Sequence, residues 1–256
     1  MAYYDDERKI IDSFCGCDDN EILLFSNKSE EIIQKIRDIK KWHCSSGKAD
    51  PPPDFYSVVY GLMMEVMRID DHAYTNRKGR TINPYLEKEN KTYKEIKQLL
   101  ADNGISFSGD IIVNTSTELP TSKDHSYDKY VANFQRVLNK HNSSNNLYRK
   151  NHGDCKLVFF ILDESSPYME IGRIREKVLS AGDIIQARPH LFFLDKRMVD
   201  VLKQSKADYY VWYAPYKHFD SLEGLELPKI IIYSKEDLVT IGTRNYINER
   251  MQSVEK

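Results

Sequence analysis

The sequence has no hydrophobic run long enough to cross a membrane. A spanning helix needs about 20 predominantly apolar residues, and no apolar run of this 256-residue chain approaches that length. The first seven residues, Met-Ala-Tyr-Tyr-Asp-Asp-Glu, are acidic and are not part of a signal-peptide pattern. These absences predict a cytoplasmic protein that has no membrane partner.

Cysteine is scarce, with four residues in the chain. Because disulfides are rare in cytoplasmic proteins, the four are expected to be free thiols. Cys15 and Cys17, together with His43 and Cys44, would also supply four soft ligands for Zn²⁺. The Cys-x-Cys spacing is tighter than in common structural zinc sites, so independent thiols are the simpler interpretation.

Neither sign of charge is in large excess, since 37 basic residues face 39 acidic ones. This balance excludes a generally basic nucleic-acid coat but leaves room for a local basic cleft. The sequence also lacks a glycine-rich phosphate loop, a nucleophile elbow and a His-Glu-x-x-His motif. Several common classes of hydrolase and nucleotide-binding protein therefore have no signature here.

Helical and strand patterns alternate along the chain. Isoleucines at helical spacing predict a helix from Ser29 to Trp42, with Ser29 as its N-cap. The continuous apolar run from Lys156 to Leu162 is typical of a strand buried on both faces. Leu191 to Leu194 is predicted as another buried strand, and Lys235 to Met251 as a terminal helix. The alternation predicts an α/β fold with a central mixed sheet flanked by helices.

An Asn- and Ser-rich stretch, His141 to Gly153, is predicted to be a mobile surface loop. It is the best candidate for an internal boundary. Residues 1–145 would then form one α/β region, and residues 154–256 a continuation of it or a second subdomain.

Two carboxylates lie in unusual surroundings. Asp54 follows a run of three prolines, and Glu65 lies in the otherwise nearly apolar run from Leu62 to Ile69. An unpaired buried Glu is costly, so Glu65 needs a partner: a metal ion, a base or a structural cation. Two strands joined at Gly61 would bring both carboxylates to one edge of a sheet, where they would form an oxygen site for Mg²⁺. Such an ion activates water and polarises a phosphoryl oxygen.

Pro53-Asp54, ten intervening residues and Glu65-Val66-Met67 resemble the motif of the PD-(D/E)xK nuclease superfamily. The resemblance covers roughly residues 29–114. It implies Mg²⁺-dependent hydrolysis of nucleic-acid phosphodiesters, with Asp54 and Glu65 as metal ligands and catalytic residues. It also implies that a Glu of the preceding helix, Glu30 or Glu31, assists.

The sequence departs from the family at the motif lysine, where it has Met67. A methionine can neither stabilise developing negative charge nor orient water. Arg68 is adjacent, but strand alternation points it to the opposite face. A replacement cation would have to come from elsewhere, for example from Lys48, Lys91 or Lys94.

Asp70, Asp71 and His72 follow the Glu65 strand directly. A carboxylate and an imidazole at a strand end can bind metal or perform acid–base chemistry, which makes Asp71 and His72 further candidate catalytic residues. The same residues would also suit a plain turn, since Asp favours turns and caps.

A basic stretch comes next, with Arg77, Lys78 and Arg80 around Gly79. These side chains would hold nucleic-acid phosphates beside the metal site, or they form an ordinary solvated loop. The leading hypothesis is a divergent Mg²⁺-dependent nuclease-like protein acting on DNA or RNA. The alternative is a non-catalytic α/β binding or assembly protein, and homo-oligomers are compatible with either.

Two more acidic residues follow predicted strands, Asp163 and Asp195. Ligands of open α/β sheets gather at the carboxyl ends of strands, so these two would form a separate acidic site. Asp195 would equally serve as the N-cap of a helix from Arg197 to Gln204.

Overall fold

The computed structural model describes residues 7–45, 52–106, 124–172, 187–217 and 227–254. Its helices are α1 (Glu7–Cys15), α2 (Asn27–Arg37), α3 (Pro84–Asp102), α4 (Tyr127–Ser143), α5 (Asn145–Asn151), α6 (Lys196–Gln204) and α7 (Asp237–Thr240). Its strands are β1 (Ile22–Leu24), β2 (His43–Cys44), β3 (Phe55–Ser57), β4 (Leu62–Ile69), β5 (Tyr74–Thr75), β6 (Thr81–Ile82), β7 (Lys156–Asp163), β8 (Tyr168–Ile171), β9 (Ala187–Pro189), β10 (Tyr209–Tyr213), β11 (Ile230–Ser234) and β12 (Met251–Ser253).

Seven of these strands form one mixed sheet in the order β1-β11-β10-β7-β4-β3-β2. The central strands β4, β7 and β10 are parallel to one another, whereas β2, β3 and β4 form an antiparallel meander. This architecture confirms the predicted α/β fold. Because β4 pairs with β7 along its whole length, strands from residues 1–145 and 154–256 belong to the same sheet.

The sheet is covered by helices on both faces, as strands that are apolar throughout require. Helices α1 and α2 pack on one face, where Phe14 and Ile36 belong to the same apolar cluster as Met64 and Val66 of β4. Helices α4 and α6 pack on the other face, in a second cluster that includes Met67. Successive β4 side chains therefore enter opposite cores, as the strand period demands.

The hairpin between β3 and β4 and the start of α3 follow their sequence signals. Gly61 has a φ of +59° in the turn before β4, a conformation that favours glycine. Asn83 caps α3 by accepting a hydrogen bond from the Leu86 amide, and Pro84 occupies the first helical turn. Asp195 likewise caps α6, as predicted, by accepting from the Arg197 amide.

Four element predictions were wrong in extent or type. The helix predicted from Ser29 to Trp42 begins at Asn27 and ends at Arg37, because Asp38 leaves helical geometry and a 3-10 turn follows. Leu191 to Leu194 contains a 3-10 turn in place of a strand. Phe192 of this turn packs edge-on against Trp212. The apolar residues of this stretch are therefore buried by ring packing and not by a place in a sheet.

The predicted loop from His141 to Gly153 is mostly helical, since α4 continues to Ser143 and α5 follows at once. Buried Tyr148 ties α5 to the core, which overrides the polar composition. The predicted terminal helix is replaced by short α7, a 3-10 turn and β12, which pairs with β8.

Candidate functional site: two carboxylates on a hairpin

Asp54 and Glu65 lie opposite each other across the β3–β4 hairpin. Phe55 pairs with Met64 in the antiparallel register, so the next residues outward, Asp54 and Glu65, face each other on one side of the sheet. The Val66 amide donates a hydrogen bond of 2.8 Å to Asp54 Oδ2, which fixes that carboxylate against β4. The predicted convergence of the two acidic side chains therefore rests on an observed register.

The electrostatics of this pair are those of a site short of positive charge. Burial, and next the negative charge of Glu65, raise the pKa of Asp54 to about 7, although the bond from the Val66 amide opposes the rise. Glu65 is 6% exposed, and its Oε2 has no hydrogen-bond partner among the described residues. A buried carboxylate oxygen without a donor is rare and costly, and a bound cation would offset that cost.

The other oxygen of Glu65 has a partner that the sequence did not reveal. His141 Nδ1 lies 2.9 Å from Glu65 Oε1 and 3.3 Å from the hydroxyl of Tyr148. Burial, and next the charge of Glu65, raise the pKa of Tyr148 well above its ordinary value. His141 lies near the end of α4 and Tyr148 on α5, in the stretch predicted to be a loop, so only tertiary packing brings them to β4.

The side chains nearest to the motif in sequence supply no cation here. Met67 is 1% exposed and lies in the apolar cluster beneath α4. Arg68 points away and forms a two-pronged pair with Glu164, with nitrogen–oxygen distances of 2.8 and 2.9 Å. The strand alternation predicted for Arg68 is thus what the structure shows.

Of the more distant replacements, the two that the structure describes lie on the surface of α3. Lys91 is exposed on α3 and lies 3.8 Å from Glu95, and Lys94 is exposed on the same helix. Lys48 lies outside the described residues. Of the two helix glutamates, both exposed, Glu31 pairs with Lys35.

The residues at the hairpin fit a hard divalent cation. Mg²⁺ prefers one or two carboxylates and keeps several waters, and Asp54 and Glu65 offer two carboxylates with one oxygen unpaired. Within the described ranges no third His, Cys, Asp or Glu completes a compact ligand group here. Such a site would hold its ion with two protein ligands and complete the coordination with water and substrate.

Asp71 and His72, predicted as further catalytic residues, lie away from this pair. They follow the end of β4, whose last residue, Ile69, is four positions after Glu65, roughly 13 Å along the strand at the usual rise. Asp70 closes the turn by accepting from the amides of His72 and Ala73. The structure therefore divides the predicted catalytic set into two groups.

Arg77, Lys78 and Arg80 occupy the tip of the β5–β6 hairpin and are exposed. Asn76 shapes this tip by accepting from the amides of Lys78 and Arg80. The three basic side chains therefore extend from a defined turn close to His72.

Asp163 and Asp195 are completely buried and are surrounded by donors. Asp163 accepts from Trp212, at 2.8 Å, and from the hydroxyl of Tyr130. Asp195 accepts from the hydroxyl of Tyr127 and lies 2.8 Å from His190 Nε2. These carboxylates organise the core at the carboxyl ends of the parallel strands.

Comparisons with protein-family models, with curated proteins and with solved structures found no match. Function is therefore inferred from this chain's own residues. In the described ranges, no helix combines the length and apolar character of a membrane span. Cys15, Cys17, Cys44 and Cys155 are free thiols, as expected.

Proposed function

We propose that the protein is a divergent Mg²⁺-dependent nuclease of the PD-(D/E)xK type, hydrolysing nucleic-acid phosphodiesters. The observation that carries the proposal is the Asp54–Glu65 pair, opposed across one hairpin with a buried Glu65 oxygen that lacks a donor. Both the spacing of the motif and the register of the hairpin support the resemblance.

The two carboxylates would hold the ion, which when bound would lower the pKa of a water and polarise a phosphoryl oxygen. The chain's own contribution beside them is His141. Because its Nδ1 faces the Glu65 carboxylate, the proton belongs on Nδ1 and the lone pair on Nε2. Nε2 would then be available to accept a proton from a water at the site, a role that does not require the missing lysine.

The test is cleavage of plasmid, single-stranded DNA and RNA with Mg²⁺, comparing wild type with Glu65→Gln and Asp54→Asn. Removing a group that stabilises the transition state typically costs about 10²- to 10³-fold in kcat, and we expect that loss for each variant. Glu236→Gln, at an exposed glutamate that pairs with Lys28 and belongs to neither candidate site, is the matched control and should cleave like wild type. Equal activity in wild type and Glu65→Gln would refute the proposal.

The exposed tip formed by Arg77, Lys78 and Arg80 is proposed to bind nucleic-acid phosphates. Replacing all three by alanine should weaken binding about equally for different sequences and reduce the salt dependence of log K by about one per lost contact. Fluorescence anisotropy over a range of salt concentrations measures both. An unchanged salt dependence would show that this hairpin does not contact the nucleic acid.

A second candidate function is a non-catalytic binding or assembly protein of the same fold. Met67 at the position of the motif lysine favours it, because this residue is buried among apolar side chains. Mg²⁺ binding measured by calorimetry, lost in Glu65→Gln but accompanied by no cleavage of any substrate, would favour this second function.

A further inference from the structure

We propose that His72, Asp124 and His125 form a second metal site, specific for a divalent transition-metal ion such as Zn²⁺ or Co²⁺. This site is separate from the Asp54–Glu65 pair and does not depend on the proposed nuclease activity. Each of the three residues offers one ligand atom, and these atoms all lie within 4.8 Å of one another. In the described part of the chain this is the one such group of His, Cys, Asp and Glu.

The separations are those that a small ion requires. His72 Nδ1 lies 3.6 Å from Asp124 Oδ1, and His125 Nδ1 lies 3.1 Å from Asp124 Oδ2. Metal–ligand bonds of about 2.0–2.2 Å in a tetrahedral zinc site place neighbouring ligand atoms roughly 3.3 Å apart. The three side chains would thus need only small adjustments to share one ion.

An independent observation points to a missing ligand at the same place. His72 is 7% exposed, and its Nδ1 has no hydrogen-bond partner among the described residues. Asp71 is fully buried, and its Oδ1 is likewise without a partner. Two buried polar atoms without hydrogen-bond partners are costly together when they lie on adjacent residues. One of them belongs to the imidazole of His72, and the other faces the same ring.

A single ion explains both atoms. If His72 binds metal through Nδ1, its proton must be on Nε2, and Nε2 lies 3.6 Å from Asp71 Oδ1. Once this gap closed to a hydrogen bond, the pair would form the carboxylate–histidine–metal arrangement, in which the carboxylate fixes the tautomer and the orientation of the ring. Asp71 is itself held in place, because Oδ2 accepts from the Ser166 amide and from the hydroxyl of Tyr168.

The rings are held in the matching orientation. His72 stacks on Tyr85 at 4.6 Å between centroids, with 16° between the planes. His125 Nε2 lies 2.8 Å from the hydroxyl of Ser253 on β12, which leaves Nδ1 on the side of Asp124. Both histidines thus have a partner that leaves Nδ1 as the ligand atom.

The donor set selects the class of metal. Two imidazoles and one carboxylate suit borderline transition-metal ions, whereas Mg²⁺ prefers oxygen ligands throughout. Three protein ligands leave a coordination position for water or substrate, as catalytic zinc sites do. His72 also lines a cavity of about 270 Å³ together with Arg68 and Arg136, so an ion bound here would adjoin a space large enough for a small ligand.

The test is titration of the metal-free protein with Zn²⁺ by calorimetry and with Co²⁺ by visible absorption, with Mg²⁺ present throughout. We expect one equivalent to bind with a spectrum of nitrogen and oxygen ligands. Asp71→Asn and Ser253→Ala, which disturb only the orienting partners, should weaken binding by about 10- to 100-fold. His72→Ala and Asp124→Asn should lose more than that.

His43→Ala, on an exposed histidine, and Asp54→Asn, at the other site, are the matched controls and should bind like wild type. Ser253→Ala removes only one hydroxyl, which keeps the test informative should a histidine variant fail to fold. A thiolate-type Co²⁺ spectrum, or full affinity in folded His72→Ala, would overturn the proposal. So would the absence of any binding to the wild-type protein.

Discussion

Replacing Lys217 by methionine is expected to lower the free energy of unfolding by about 3–5 kcal/mol, the usual cost of removing one partner of a buried ion pair. Lys217 is 4% exposed, and its Nζ lies 3.6 Å from Asp163 Oδ1. The ammonium also donates to Ser165 Oγ and to the Ser166 carbonyl, and it lies 4.4 Å from the centre of the Tyr130 ring. The contacts that the structure shows for the Lys217 ammonium are therefore all with groups that favour a positive charge.

The size of the effect follows from the buried Asp163 carboxylate, which remains when Lys217 is replaced. Without Lys217, Asp163 would be a fully buried negative charge with neutral donors only, from Ser165, Trp212 and Tyr130. Hydrogen bonds from neutral donors do not replace the charge of a cation in a site with little water. Methionine keeps the length of the side chain, so the measurement reports the lost charge and its bonds more than lost packing.

Urea unfolding at neutral pH measures this effect. Lys196→Met is the matched control, because Lys196 also pairs with an aspartate, Asp200, but on the exposed surface of α6. Exposed pairs contribute about 0–1 kcal/mol, so the control should unfold close to wild type. A Lys217→Met variant as stable as the control would show that the buried ion pair does not stabilise the fold.

The fold was predictable where local signals and burial agree. The all-apolar run before Asp163 gave β7 correctly, because this pattern acts within a few residues. The prediction was wrong between His141 and Gly153, where Ser and Asn suggest a loop. There the buried ring of Tyr148, a contact distant in sequence, decides the structure.

The candidate sites show the same contrast between local signals, which the sequence reveals, and contacts between residues distant in sequence, which it does not. Asp54 and Glu65 could be predicted to lie opposite each other because a hairpin of known spacing connects them, and the pairing of Phe55 with Met64 is the register that this prediction needs. The partner of Glu65, His141, is 76 residues away, and no pattern in the sequence links the two. His72 was recognised as a candidate, but its neighbour His125 comes from a different part of the chain and became apparent only in the structure.

Replacing Asp54 by asparagine is expected to stabilise the metal-free protein at pH 8, in contrast to its effect on activity. The pKa of Asp54 is raised from 3.8 to about 7 by burial and by Glu65, so the folded state binds more protons than the unfolded state between these values. Stability therefore falls as the pH rises from about 4 to about 7. Asparagine has no charge to lose, so the variant avoids this fall.

The difference between 3.8 and about 7 corresponds to roughly 4 kcal/mol, at about 1.4 kcal/mol per pH unit. Because Asp54 shares its charge repulsion with Glu65, we expect Asp54→Asn to exceed wild type by about 2–4 kcal/mol at pH 8, and by little at pH 4. Urea unfolding with a chelator present, at both pH values, measures the difference. Asp154→Asn, at an exposed position, is the control and should follow wild type.

Magnesium should reverse this order, and the reversal links stability to function. A ligand that binds only the folded state stabilises it in proportion to the logarithm of its concentration over Kd. Mg²⁺ needs the ionised carboxylates, so it should raise the stability of wild type at pH 8 and leave Asp54→Asn unchanged. A wild type that Mg²⁺ does not stabilise, together with a variant that gains nothing from the lost charge, would contradict both the strained carboxylate pair and its role in holding a cation. A pair that costs stability in the free protein and regains it with an ion would follow a trade that is common at functional sites.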